Sequence, residues 1–368
     1  MKCIKNFFWT FLLLVIGGFS GVVEAVTCSR SSSLVDAQMP LAVNNLTVGP
    51  DTPNGTVIFR QVFFLGQTLS VHCNSSNSQY QAYKSYNYTL RPLPDSQWHG
   101  GPYPQATIYQ TGVPGIGVMI SAESRPLSID IKTKYITPAN RARDHNFNLG
   151  GMVLLFIKTG NVQPGTILGS NLPSSNIRFK APGANVLLAR LKITGSINIV
   201  SQTCRVSNVT VPMGQHKIGD KLTGVGKTTE WVDASIRLTN CPRFYGTLKD
   251  GNNTYYNYTT EETGVGTFTR NTLGASISPN TSIVDSSKGI MSIKSTTNSA
   301  KGVAIQLAEF SYGNFNFYIK FGNLINYDLY NNNNTTATIP LRARYIQTES
   351  KVTPGRADAT ATFTLTYK

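Results

Sequence analysis

Short apolar or alternating runs recur along the whole chain, and nowhere is the 3.6-residue apolar spacing of an amphipathic helix sustained. The runs include Thr56–Leu65, Tyr86–Leu90, Gly115–Ile120, Leu127–Ile131, Met152–Ile157, Val186–Ile193, Ala234–Leu238, Val303–Leu307 and Asn314–Phe321, bounded by Gly, Pro, Asn and Asp. Runs of about 5–8 residues punctuated by turn formers suit the strands of sandwiches or barrels. An all-β chain is expected. Its 368 residues suggest two domains. Only 14% of residues are charged, while Thr, Ser, Asn and Tyr are plentiful, as on sheets whose outer faces are rich in hydroxyls and amides.

The cleanest strand pattern is Ala359–Lys368, where Ala, Ala, Phe, Leu and Tyr alternate with four threonines and a lysine. That period of two describes one buried and one wet face. So regular a terminal strand is expected to pair, either within a closed sandwich or with another chain.

At the other end, Lys2 and Lys5 precede the 13-residue apolar stretch Phe7–Phe19 and the small-residue site Val23-Glu24-Ala25. These are the parts of a secretory signal peptide over residues 1–25, and the stretch is short of the roughly 20 residues of a membrane span. Cleavage removes Cys3 and leaves Cys28, Cys73, Cys204 and Cys241 for an oxidising compartment. Four cysteines allow three pairings. Two lie near the start of each half, which favours Cys28–Cys73 and Cys204–Cys241, each closing a loop of about 40 residues and contributing on the order of 4 kcal/mol.

Residues 26–195 carry 14 basic and 6 acidic side chains, and residues 196–368 carry 17 and 11. The basic residues are scattered singly in an exported chain, so loose attraction to anionic surfaces is expected rather than nucleic-acid binding. No Cys-x-x-Cys or His-x-x-x-His spacing offers a metal site, and no cofactor motif is evident. Gly224-Val225-Gly226-Lys227-Thr228 mimics the end of a phosphate-binding loop, but Lys221 stands where its first glycine belongs. No nucleophile elbow is present and the four histidines lack a surrounding motif, so no enzyme activity is expected. Tyr80, Tyr83, Tyr86, Tyr88, Trp98, His99 and Tyr103 form an aromatic-rich segment suited to stacking on sugar rings, although strand alternation accounts for part of it. Arg141–His145 is read as a solvated loop, with anion binding as the alternative.

The second half resembles a pilin domain of the chaperone–usher, type 1-like, fimbriae. Ile197–Val206 is similar to that family's first strand with its cysteine, and Ile236–Cys241 to the strand bearing the partner cysteine. Gly302–Leu307 matches a Gly-x-x-Ile-x-Leu strand, and Arg344-Tyr345-Ile346, Val352–Gly355 and a terminal strand with penultimate Tyr367 complete the order. More loosely, the first half resembles the lectin domain of two-domain tip adhesins, through Val26-Thr27-Cys28, Gly112–Val118 and Met152–Thr159. The resemblance implies two β-sandwiches: a lectin-like domain over residues 26–195, and an incomplete immunoglobulin-like pilin domain over residues 196–368 that a donor strand completes. The implied partners are a periplasmic chaperone, an outer-membrane usher, an adjacent subunit that donates a strand, and a glycan. The implied location is the fimbrial tip on a bacterial surface. Such a pilin edge is exposed until covered, and β-augmentation covers it. A folded domain standing where an ordinary pilin carries its donor extension implies a subunit that accepts a strand but gives none. The alternative is a structural tip or adaptor subunit whose first domain binds protein or no glycan.

The resemblance also implies site residues. In mannose-specific relatives the N-terminal amine, an Asn-Asp pair after the second cysteine, a further acid and a Gln-x-Asn loop hold the sugar. These fall on Val26, Asn74 and Ser75, near Tyr86, and on Lys158 and Asn161. The acids are missing and Lys158 stands at the glutamine, so a carboxylated or sulfated sugar is expected rather than mannose, with these residues gathered at one end of the sandwich. Phe363, Leu365, Tyr367 and Lys368 are implied to meet the chaperone.

Overall fold

The computed structural model describes residues 25–101, 104–148, 150–249, 254–310 and 316–368. The expected signal peptide, apart from Ala25, and Tyr103 lie outside the described residues. The described chain is all-β, with a single 3₁₀ turn at Gly169–Asn171. Most runs read from sequence form strands shifted by a few residues, among them Val57–Phe64, Ile116–Ala122, Met152–Lys158, Ala184–Thr194 and Val303–Phe310. The expected disulfides Cys28–Cys73 and Cys204–Cys241 are both formed.

The first sandwich is held between two sheets. One orders Ile129–Lys132, Tyr83–Leu90, Ser174–Ala181, Ala184–Thr194 and Val35–Pro40. The other centres on Val57–Phe64, Met152–Lys158 and Ile116–Ala122. Between them pack Met39, Phe59, Tyr86, Leu154, Phe156 and Phe179, all essentially solvent-free. Phe59 and Phe156 stack with centroids 5.1 Å apart. Burying each such side chain contributes roughly 1.5–3 kcal/mol. Met152–Lys158 reads as a continuous apolar run because both its faces are covered: Leu155 and Ile157 join Ile108 and Met119 in a second small cluster, against which Trp98 packs. A third, three-stranded sheet of Cys28–Arg30, Thr68–Cys73 and Arg143–Asn148 closes one end. Arg141–His145 is therefore only partly a loop: Arg143–Asn148 is a strand, and His145 and Phe147 are buried in it.

After Ala184–Thr194, Gly195 takes φ +85°, and the chain resumes at once as Ser196–Val200. This strand pairs with Gly165–Leu168 and Asn45–Thr47 and sends Ile197 and Ile199 into the first core. Cys204 opens the second core, which holds Ile236, Leu238, Leu273, Ile277, Ile305 and Leu341. Around it stand a sheet built on Val303–Phe310 and Leu341–Gln347, and two three-stranded sheets, Ile325–Leu329/Asn271–Pro279/Ala361–Tyr367 and Arg205–Val206/Ile236–Thr239/Ala337–Ile339.

One connection was not visible in the sequence. Tyr255–Asn257, from the second half, runs parallel to Val57–Phe64 at the edge of the first half's sheet. Leu248 N–H donates to the Ile58 carbonyl at 3.0 Å, Arg60 N–H to that of Leu248 at 2.7 Å, and Leu248 is buried in the first core. The second half thus covers a backbone edge of the first.

Candidate functional site

The structure separates the implied sugar-site residues. Val26 is 3% exposed, and its nitrogen donates to the Pro182 carbonyl at 2.8 Å, beside the turn between Ser174–Ala181 and Ala184–Thr194. Asn74 and Ser75 are exposed close by, since Asn74 N–H donates to the Thr27 carbonyl at 3.0 Å and Cys73 is bonded to Cys28. Tyr86 is fully buried mid-sheet, its hydroxyl donating to Glu123 Oε1 at 3.3 Å. Burial first, and the Glu123 charge second, push its phenol well above the ordinary range.

Lys158 and Asn161 lie at the opposite end. Ser201 Oγ donates to the Val162 carbonyl at 3.0 Å, and Gly165 pairs with Ile199, so this region abuts the strand that follows Gly195. Between the two groups runs Ala184–Val200, about 50 Å if fully extended. The expected convergence of Val26, Asn74, Lys158 and Asn161 on one cleft is not found. Lys158 is also not a surface loop lysine. It ends the Met152–Lys158 strand, is 4% exposed, and donates Nζ to Asn54 Oδ1 at 3.2 Å. Burial lowers its pKa, while the nearby Asp51 carboxylate opposes that shift.

Asp51 leads to a contact between the halves that sequence reasoning missed. Its carboxylate accepts the Tyr367 N–H at 2.7 Å, and its own N–H donates to the Tyr367 carbonyl at 3.0 Å. Gly49 sits so close that a Cβ there would be 2.2 Å from the Tyr367 carbonyl oxygen. Asn271, 4% exposed, donates to the carbonyls of Thr47 at 3.1 Å and Lys368 at 3.3 Å, and accepts the Gly246 N–H at 3.0 Å. The Tyr367 ring stacks on Phe244 at 6.4 Å. Tyr367 and Lys368 thus dock on a loop of the first half. No motif marks Asp51 or Asn271, because their partners are backbone groups distant in sequence.

A concavity in the second half follows the terminal strand. Ala361–Tyr367 pairs on one side with Asn271–Pro279, and among the described residues its other edge pairs with no strand. Beside it is a groove of about 670 Å³. Its floor includes Ile236, Ile277, Ile305 and Leu341, and its walls include Val211 and Phe363. The expected alternation of the terminal strand is present, with Ala361, Phe363 and Leu365 inward, yet all three remain only half-buried. Leu365 packs on the core and Phe363 lines the groove. An apolar trough with an unpaired strand edge has the geometry of a strand-acceptor site.

An all-β chain of two sandwiches, one with an open apolar groove, defines the class. Residues 191–368 match the family described as Fimbrial protein, so the second half is a fimbrial-protein domain. The resemblance read from its strand motifs holds over this region, and a domain of this family is a structural or adhesive part of a surface pilus rather than an enzyme. No curated protein matches the chain. Among solved structures it is similar to the CupB6 tip adhesin from Pseudomonas aeruginosa, at 17% identity over 93% of this chain and 95% of that one, with a TM-score of 0.34. It is similar to the P pilus rod subunit PapA at 18% identity, over 45% of this chain and all of that one, with a TM-score of 0.30. It is also similar to a chain in a structure of a chaperone–tip adhesin complex of CFA/I fimbriae, at 10% identity over 92% and 97%, with a TM-score of 0.26. All three TM-scores lie below 0.5. Among the described residues no helix is long and apolar enough to cross a membrane.

Proposed function

We propose that the protein is a chaperone–usher fimbrial tip adhesin, with a ligand-binding domain over residues 26–195 and a pilin domain over residues 196–368 that anchors it to the fibre by accepting a donor strand. The observation that carries this reading is the groove beside Ala361–Tyr367, apolar within and unpaired at its edge. A periplasmic chaperone fills it first, and the extension of the next subunit replaces the chaperone at the usher. Before the first pilin strand stands a folded sandwich rather than an extended donor segment, so the subunit receives a strand without giving one and belongs at the fibre's end. The first domain then carries the receptor-binding surface, and a glycan is the ligand its exposed hydroxyl-rich and cationic faces suit.

The test uses the full chain refolded with and without a synthetic peptide of alternating large apolar and polar residues. The peptide is expected to bind, raise the melting temperature and suppress aggregation. A chain that is monomeric and equally stable without the peptide, and does not bind it, refutes the acceptor-groove reading.

A further inference from the structure

We propose that the cleft between Ile129–Lys132 and Arg143–Asn148 is a binding site for an anionic sugar, one bearing a carboxylate or a sulfate. This rests on the adhesin reading above and names its ligand class and place. Each of these strands is the outermost of its sheet, so the cleft opens where the two sheets part at the side of the sandwich. It encloses about 540 Å³, room for one or two sugar rings.

The lining of the cleft holds four cations, Lys84, Lys132, Lys134 and Arg143, against two carboxylates, Glu123 and Asp144. Lys132, Lys134 and Arg143 line it, and no carboxylate salt-bridges any of them among the described residues. The acids in and beside the cleft are each paired: Glu123 with Lys84 within the lining, Asp144 with His72 at 2.8 Å, and Asp130, just outside it, with Lys180 at 3.0 Å. Three cations are thus left to face an incoming anion. Tyr135 stands between two of them, 56% exposed, with Lys134 Nζ 5.0 Å and Arg143 Cζ 5.7 Å from its ring centre. An exposed ring with cations at its face offers a stacking surface for the C–H side of a sugar and charge for its acidic substituent. Below lie the buried His145 and Phe147, packed on Phe179. The outer edges of both strands are unpaired among the described residues, so outward N–H and C=O groups remain for sugar hydroxyls.

Position supports this assignment. Arg143 is paired with Cys73, and Lys132 and Lys180 both sit across from Tyr83, which puts the cationic mouth at the end of the sandwich remote from the second half. In a fibre that end faces outward. The cluster is compact, a size that fits one charged saccharide and not a long polyanion track.

The test measures binding of sialyllactose, 6-sulfolactose and neutral lactose to the full chain held soluble by the donor peptide, at low and high salt. At least one anionic probe is expected to bind more than ~10-fold tighter than lactose, and to weaken as salt rises. Which one binds separates carboxylate from sulfate recognition. Lys132→Ser with Lys134→Ser, and separately Tyr135→Ser, are each expected to weaken the bound probe by ~10-fold or more with the melting temperature unchanged, since all three side chains are exposed. Binding of neither anionic probe, equal binding of lactose, or full retention of binding by both variants overturns the assignment. If the donor peptide stabilises the chain in those cases, the fimbrial reading stands and only the cleft assignment falls. If the peptide itself fails, the fimbrial reading fails separately.

Discussion

Asn271→Ala should uncouple the two halves of the chain. The Asn271 amide is 4% exposed and makes three bonds: from Gly246 N–H at 3.0 Å, to the Thr47 carbonyl at 3.1 Å and to the Lys368 carbonyl at 3.3 Å. Lys368 keeps a partner in the variant, because its carbonyl also accepts Thr272 N–H at 2.8 Å. Gly246 N–H and the Thr47 carbonyl lose the amide that serves them from both sides of the junction. Leaving a buried polar group unsatisfied costs about 1–3 kcal/mol, so the pair should cost ~2–6 kcal/mol. Asn271→Asp should cost at least as much, since it keeps the acceptor but turns a carboxylate toward two carbonyls. Guanidinium unfolding of the full chain with donor peptide bound, followed by tryptophan fluorescence and far-ultraviolet circular dichroism, checks this. The two probes should separate in the variants, reporting transitions of different midpoint. If both variants stay within about 1 kcal/mol of the parent and the probes coincide, the amide does not clamp the halves together.

Gly49→Ala should act at the same junction, because its new Cβ meets the Tyr367 carbonyl. Faster hydrogen exchange at the Tyr367 and Lys368 amides is the expected readout. Tyr367→Ala removes a ring stacked on Phe244 and should cost ~3–5 kcal/mol, with lower periplasmic yield and reduced capture by the chaperone in a pull-down. His145 is buried and its pKa is lowered from 6.5 to about 4, first by burial and then by Arg143, against the pull of Asp144. The unfolded chain therefore takes up a proton near pH 6.5 that the folded chain refuses. Stability contributed by the neutral imidazole should fall by at most ~3 kcal/mol as pH drops from about 6.5 towards 4, and His145→Gln should flatten that slope in urea titrations. Residues 26–195 expressed alone should aggregate more than the full chain in light scattering, since Leu248 and Tyr255–Asn257 no longer cover the edge of Val57–Phe64.

What local sequence dictates came through. Strand periodicity, the spacing of four cysteines and the alternation of Ala361–Tyr367 each depend on neighbours in the chain, so the all-β class, both disulfides and the amphipathic terminal strand were legible. The strand motifs around Cys204 and Cys241 likewise marked the fimbrial domain now matched over residues 191–368. The placement of side chains relative to one another was not legible, because it depends on which end of the sandwich each strand leaves. Lys158 ends a strand at the junction, whereas Val26 and Asn74 sit by the turn at Pro182, and nothing local distinguishes the two ends. The polar segment Tyr255–Asn257 has no strong strand signal. Its parallel pairing with Val57–Phe64 spans nearly 200 residues, and only the docking of the two halves brings those backbones together. Arg143 and Lys134 are unremarkable as scattered basic residues in the sequence; they become a cationic cleft only when the edges of two different sheets meet around Tyr135. Sequence by itself determined the elements, and tertiary packing decided which surfaces they share, since long-range pairing follows from burying both cores at once and not from any local preference.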